Sequence, residues 1–277
     1  MIVARTLPAL RAALASLPRP LALVPTMGAL HAGHIALLQA GRARAASTTA
    51  SIFVNPLQFT ANEDLARYPR DEQGDLAVLE QAGCDVAWLP SVEAMYSGGA
   101  CTAIEVGGPS QGFEGALRPG HFRGVATVVG KLLHQATPEF AMFGEKDWQQ
   151  VQVVSQMVRD LDWPTEIVPV PTVREADGLA MSSRNRFLTP AERATASVIP
   201  RVLHQVAAGL VAAGLAAGQV DALAAGEAAL QAAGMGVDYL SVVDGQTLGP
   251  PGAGPRRLLC AVRLGAVRLL DNIAVDG

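Results

Sequence analysis

Cysteine is scarce in this 277-residue chain: Cys84, Cys101 and Cys260 are odd in number and far apart. They exclude a disulfide framework, and no CxxC pair exists to seed a zinc knuckle. Reduced thiols in a cytoplasm fit this usage. An excess of basic charge is also missing, because 21 Lys and Arg against 25 Asp and Glu leave a net charge of −4. That balance excludes the broad positive field by which proteins gather nucleic acid. A long apolar run is absent as well. The opening "MIVARTLPALRAALASLPRPLALVP" is apolar, but Arg11, Arg19 and its prolines break it before a signal-peptide core forms, so no targeting segment is expected. Residues 202 to 220, "VLHQVAAGLVAAGLAAGQV", carry no formal charge over a membrane-spanning length. They are rich in Ala and Gly, with His204 and Gln205 inside, and predict a buried helical hairpin rather than a membrane span.

What is present is apolar residues, half of the chain, enough for one large or two smaller domains. Short apolar runs bounded by turn residues predict strands at 21–24, 48–54, 85–90, 139–143 and 165–170. Helical spacing occupies 34–46, 71–82, 121–135 and 147–159 between them. Strands apolar on both faces that alternate with helices imply an α/β domain, a doubly wound, Rossmann-like parallel sheet over residues 1–173. From 174 to 277 the order reverses. A helical region at 190–234 is followed by "VDYLSVVD", "RRLLCAVRL" and "AVRLLDNIAV", the last two joined at Gly265 as a hairpin. This describes a smaller C-terminal α+β domain with an antiparallel sheet, with "PGAGP" at 251–255 a loop and no internal repeat.

In an open parallel sheet a ligand lies beyond the carboxyl ends of the strands. Three loops there are the most polar of the chain: "PTMGALHAGH" (25–34), "NPLQF" (55–59) and "GEKDWQQ" (144–150). A fourth, "VREADGLAMSSRNRFLT" (173–189), holds Ser182, Ser183, Arg184 and Arg186, a plausible phosphate cradle placed where a mobile lid is useful. With Lys146 these groups suggest a nucleoside triphosphate site. For His31 and His34 three readings stand side by side: phosphate handling at a helix start, inert capping or packing, and a metal pair that lacks a third ligand nearby. Gln58 also reads as a solvated loop residue, and Gln150 as an exposed helix position. Asp75 reads as a metal-side carboxylate or a helix-surface acid, and Asp147 as a ligand contact or a helix N-cap. The serines of "MSS" double as caps, His121 as a helix cap beside Gly120, and His134 and His204 as structural.

Taken together in their order, "PTMGALHAGH", "FVNPLQF", "GHFRGVATVV", "FGEKDWQQ" and "MSSRNRFLT" resemble the pantothenate synthetase family, within the nucleotidyltransferases that carry an HxGH motif. The resemblance implies ATP-dependent condensation of (R)-pantoate with β-alanine through a pantoyl-adenylate, with Mg²⁺, in a cytoplasmic homodimer whose C-terminal domain acts as a lid. It implies ATP contacts from Met27, Gly28, Ala29, Leu30, His31, Ala32, Gly33 and His34, from Gly144, Glu145, Lys146 and Asp147, from Val173, and from Met181, Ser182, Ser183 and Arg184. Gln58 and Gln150 would hold pantoate, with Gln58 also near β-alanine. His34, His31, Lys146, Ser182 and Arg184 would carry the chemistry, His34 closest to it. The metal ligands are not implied. Where related nucleotidyltransferases place a lysine just before "MS", this chain has Ala180, which leaves the loop's positive charge to Arg184 and Arg186. A carboxylate nucleophile needs no general base at neutral pH, so the demand falls on charge neutralisation and alignment.

Overall fold

The computed structural model describes residues 1–59, 65, 68–212 and 219–275. The chain divides into two compact units, Met1–Gly144 with Gln149–Pro171, and Glu145–Trp148 with Thr172–Gly277.

Among the described residues, the first unit is built on a parallel sheet of β1 (Ile2–Ala4), β2 (Leu21–Thr26), β3 (Ser47–Ile52), β4 (Val86–Trp88), β5 (Phe140–Gly144) and β6 (Glu166–Val170). The strand order is β1-β4-β3-β2-β5-β6, every pairing parallel. Its helices are α1 (Leu7–Ala15), α2 (Ala32–Arg42), α3 (Glu72–Gln81), α4 (Val92–Met95), α5 (Phe113–Leu117), α6 (His121–Ala136) and α7 (Trp148–Asp160). The core shows why the strands are apolar throughout. Ala22 and Val24 of β2 join Leu37 and Leu38 of α2 and Leu79 of α3, while Leu21 and Leu23, facing the opposite way, are buried just as completely. The expected strands and helices are all present, within a few residues at their ends.

Four elements of this unit are absent from the sequence expectations, β1, α1 and the short helices α4 and α5. β1 is only three residues long, too short for periodicity to announce, and it forms because it pairs with β4. The segment read only as a broken apolar leader contains α1, started by Thr6, whose side chain accepts from the Ala9 N–H, with Pro8 in the first turn. Of the prolines that break a signal core, Pro8 begins a helix.

The second unit contains α8 (Pro190–Ala196), α9 (Val198–Ala212) and α10 (Gln219–Ala232), then the antiparallel sheet β7 (Gly236–Asp244), β8 (Arg256–Leu264) and β9 (Val267–Val275). Gly265 turns the β8–β9 hairpin at φ +55°, as expected of the glycine there. The expected helical hairpin over 202–220 falls on α9 and α10, with 213–218 lying outside the described residues. Leu203, Val206 and Leu210 face a core completed by Leu230, Leu258 and Val262, but Arg201, His204 and Gln205 are exposed, so the hairpin is amphipathic rather than wholly buried. No described helix is long and apolar enough to cross a membrane.

Candidate functional site

In the first unit the site begins where β2 stops. Thr26 donates its hydroxyl to the Ser51 carbonyl at 2.7 Å and accepts from the Gly28 N–H at 3.2 Å, which turns the chain off the sheet. Gly28 (φ +86°) and Ala29 (φ +52°) then aim two successive N–H groups inward, where Asp75 accepts both, Ala29 N at 2.9 Å and Leu30 N at 2.8 Å. Asp75 is 4% exposed, so its reading as a helix-surface acid is overturned. Its carboxylate supplies the negative charge that successive left-handed amides call for. A Cβ on Gly28 would lie 2.7 Å from Asp75 Oδ2, so this glycine is demanded by the carboxylate as well as by its φ.

His31 is the N-cap of α2, and its Nδ1 accepts from the Gly33 N–H at 3.1 Å. His34, at the third helical position, returns the bond: its Nδ1 accepts from the His31 N–H at 3.2 Å. This is a capping box made of imidazoles, with ring centroids 4.2 Å apart. Because each Nδ1 spends its lone pair on a backbone donor, each neutral ring carries its proton on Nε2. Gly33 is explained by the same packing, since a Cβ there would come within 2.8 Å of the His31 ring. Capping, which the sequence offered beside phosphate handling, is made by the Nδ1 atom of each ring.

The carboxyl end of β3 leads into the short turn Pro56–Gln58. Gln58 is 8% exposed, which overturns its reading as a solvated loop residue. Its Nε2 donates to Met27 Sδ at 3.2 Å, which joins the "NPLQF" and "PTMGALHAGH" segments directly. His121 is not a side-chain cap. Its Nδ1 meets the Gln58 carbonyl at 2.8 Å and its Nε2 meets Arg118 Nη1 at 2.9 Å. A carbonyl only accepts and a guanidinium only donates, so the ring is neutral with its proton on Nδ1. α6 comes close enough for this because residue 124 is glycine: a Cβ there would lie 2.2 Å from the Leu57 carbonyl oxygen. Two glutamines follow one another in α7. Gln149 is buried and clamps a turn, accepting from the Glu114 N–H and donating to the Pro109 carbonyl at 3.0 Å each, whereas Gln150 is half-buried. Gln150 is thus neither fully exposed nor used in that clamp.

In the second unit the "GEKD" segment is anchored from behind. Asn272 of β9 donates to the carbonyls of Glu145 and Lys146 at 2.9 Å each, and Arg257 of β8 donates to Glu145 Oε2 at 2.7 Å. Arg257 also stacks 3.6 Å from the centre of the Trp148 ring. Burial pulls its guanidinium below the ordinary value, opposed by the Glu145 carboxylate. Lys146 Nζ lies 3.2 Å from Asp147 Oδ1, and its side chain is mostly covered. The 173–189 segment folds back on itself. Met181 N donates to the Val173 carbonyl at 2.9 Å, Arg174 pairs with Asp271 at 2.8 Å, and Arg193 pairs with Asp177 and Glu175 at 2.6 Å. Ser182 caps a turn by accepting from the Arg184 N–H at 3.2 Å, so its capping reading holds. Ala180 is buried and pairs with Arg174 in an isolated bridge. His134 and His204 lie exposed on α6 and α9 and pack no core. Among the described residues, no group of three or more His, Cys, Asp or Glu converges to hold a metal ion.

The pantoate–β-alanine ligase family model matches residues 2–274. The chain belongs to this family. It is a ligase of pantothenate biosynthesis, with the fold that family has. It is 56% identical to the pantothenate synthetase of Acidiphilium cryptum, covering 99% of this chain and 100% of the relative. It is 50% identical to that of Granulibacter bethesdensis over 99% and 96%. Among solved structures, pantothenate synthetase from Thermus thermophilus superposes with a TM-score of 0.94 at 46% identity over 100% of both chains. The Francisella tularensis ligase, described as complexed with β-γ ATP and β-alanine, gives 0.84 at 32% identity over 100% and 98%.

Asn55, Asp75 and His121 are the residues that sequence reasoning passed over or misread. Each lay in a quoted motif or a noted segment, but each also bonds a partner 45 to 69 residues away.

Proposed function

We propose that this ligase activates the carboxylate of (R)-pantoate with ATP and then passes the acyl group to β-alanine. A pantoate carboxylate oxygen attacks the α-phosphorus, the bond to the β-phosphate breaks, and pyrophosphate leaves with the electron pair. The amine of β-alanine then adds to the acyl carbon, the C–O bond to AMP breaks, and the ammonium proton goes to solvent. The observation that carries this reading is the histidine pair, whose Nδ1 atoms are held by backbone and whose Nε2–H groups are donors suited to phosphate oxygens. In this reading His34 serves the transition state and His31 its neighbouring phosphate oxygen. Met27 through His34, with Gly144, line the nucleotide.

The reading also gives nucleotide contacts to Glu145, Lys146, Asp147, Val173, Met181, Ser182, Ser183 and Arg184, with Lys146 and Arg184 as countercharge and Ser182 as a hydroxyl donor. Gln58 and Gln150 hold pantoate, and amides suit that task because they pair with carboxylate and hydroxyl without quenching the nucleophile. Mg²⁺ bound to the ATP phosphates would add countercharge there, since the ion seldom uses an all-protein cage. A cytoplasmic homodimer completes the reading. Exposed Ile2 and Val3 on the edge strand β1 support it, since an apolar sheet edge is normally covered. Light scattering reads that state directly.

The test is ATP–pyrophosphate exchange. Exchange that requires pantoate and ignores mononucleotide acceptors is expected. Exchange indifferent to pantoate would overturn the reading.

A further inference from the structure

We propose that Tyr96 and Asn55 form a hydrogen-bond relay that fixes which end of the Gln58 amide faces the substrate, so that Gln58 presents N–H donors and selects an accepting group, a carboxylate or hydroxyl oxygen. The inference deepens the reading of Gln58 as a pantoate contact and rests on it. A side-chain amide has a donor end and an acceptor end of nearly equal size, so its orientation is decided only by its neighbours.

Asn55 is 1% exposed, and two backbone groups leave it no choice. The Leu57 N–H, a pure donor, lies 3.2 Å from its Oδ1, and the Gly124 carbonyl, a pure acceptor, lies 3.1 Å from its Nδ2. Exchanging the two ends would set donor against donor and acceptor against acceptor. The remaining lone pair of Oδ1 takes the Tyr96 hydroxyl at 2.6 Å, and the remaining N–H of Nδ2 goes to Gln58 Oε1 at 3.0 Å. All four hydrogen-bonding positions of the Asn55 side chain are therefore used.

Gln58 inherits its polarity from this arrangement. With Oε1 committed to Asn55, its NH₂ group is turned the other way, where Met27 Sδ accepts at 3.2 Å. A thioether is a weak acceptor, so a substrate oxygen readily takes its place. Tyr96 is itself fixed: its ring lies against Phe53 with centroids 6.0 Å apart, and burial pushes its phenol above the usual value, which keeps the hydroxyl a donor. Tyr96 and Asn55 are positioning residues, since they act through Gln58.

The test measures KM for pantoate and for ATP, and kcat, in pyrophosphate exchange for Gln58→Ala, Gln58→Glu, Tyr96→Phe and Asn55→Asp. Gln58→Glu offers only acceptors, so it is expected to raise the pantoate KM at least tenfold beyond Gln58→Ala. Tyr96→Phe removes one neutral hydrogen bond and is expected to raise the pantoate KM by roughly two- to tenfold, with ATP KM and kcat within about twofold. Asn55→Asp cannot donate to Gln58, so it is expected to match Gln58→Ala. Should Asn55→Asp fail to fold by circular dichroism, the other three variants decide. A Gln58→Glu no worse than Gln58→Ala, or a Tyr96→Phe that leaves the pantoate KM unchanged or moves both KM values together, overturns the relay. A Gln58→Ala with unchanged pantoate KM overturns instead the reading that Gln58 binds pantoate.

Discussion

His31 and His34 each spend one ring nitrogen on the start of α2, and the proposed function gives the other a phosphate oxygen. Replacing His34 by Ala is expected to slow pantoate-dependent pyrophosphate exchange by roughly 10²- to 10³-fold, the loss that follows removal of one preorganised donor. The same change removes half of a capping box, which accounts for only about 0.5–2 kcal/mol of stability. Exchange rates and thermal melts on the same sample separate the two, and an unchanged rate removes His34 from the chemistry. At Asp75, substitution by Ala leaves the Ala29 and Leu30 N–H groups without their acceptor, so a loss of about 1–3 kcal/mol is expected in urea unfolding. The histidines were legible in the sequence because both partners of each bond lie within three residues. Asp75 was not, because it bonds a turn 45 residues upstream, and "RDEQGDL" reads equally well as a solvated helix start.

At the level of elements, two glycines set how closely backbone segments approach. Gly28 combines φ +86° with a 2.7 Å Cβ contact to Asp75, so Gly28→Ala is expected to cost at least about 1–2 kcal/mol from its left-handed backbone alone. It also displaces the carboxylate that holds the turn. Gly124 lies in the middle of a helix, where glycine is ordinarily a weakness. Here a Cβ would meet the Leu57 carbonyl carbon at 2.4 Å, and backbone does not yield as a flexible side chain does. Gly124→Ala is expected to destabilise by about 1–3 kcal/mol or more and to raise the pantoate requirement, because the Pro56–Gln58 turn must move. A Gly124→Ala variant more stable than the parent, as helix propensity alone would give, would refute that account. Strand and helix positions followed from periodicity, since burial on one or both faces is written into spacing. The helix-to-turn approach was not readable, because "GHFRG" carries no mark of what packs against it.

The molecule as a whole buries two of its three thiols. Burial pushes Cys84 up to about 11 and Cys260 up to about 12, while Cys101 is exposed. Native protein at pH 8 is expected to take one iodoacetamide adduct, on Cys101, and denatured protein three, by mass spectrometry; rapid native labelling of Cys260 would contradict the packing of β8. A pH dependence is expected in the second unit. The Arg193 side chain, with the Leu179 N–H helping and burial opposing, holds the Asp177 carboxyl below its ordinary value. A depressed carboxylate stabilises the fold fully above the unfolded value near 4 and ceases to do so as pH falls through the folded one. The stability gap between the parent and Asp177→Asn, followed by urea midpoints, is therefore expected to be largest at neutral pH and to close as pH falls below the unfolded value of about 4, and a gap that widens on acidification would overturn it. The pair is partly exposed, so the gap is small.

Composition and spacing by themselves determined the fold class, the order of the longer elements and the polar loops between them. Those properties depend on burial period and on turn residues, which act over a few positions. The tertiary structure alone decided what each polar residue does within those loops. Which nitrogen of His34 is a donor, which end of Gln58 faces outward and whether Asp75 meets water all depend on partners brought together from distant parts of the chain. A hydrogen bond has a direction, and only the folded partner supplies it.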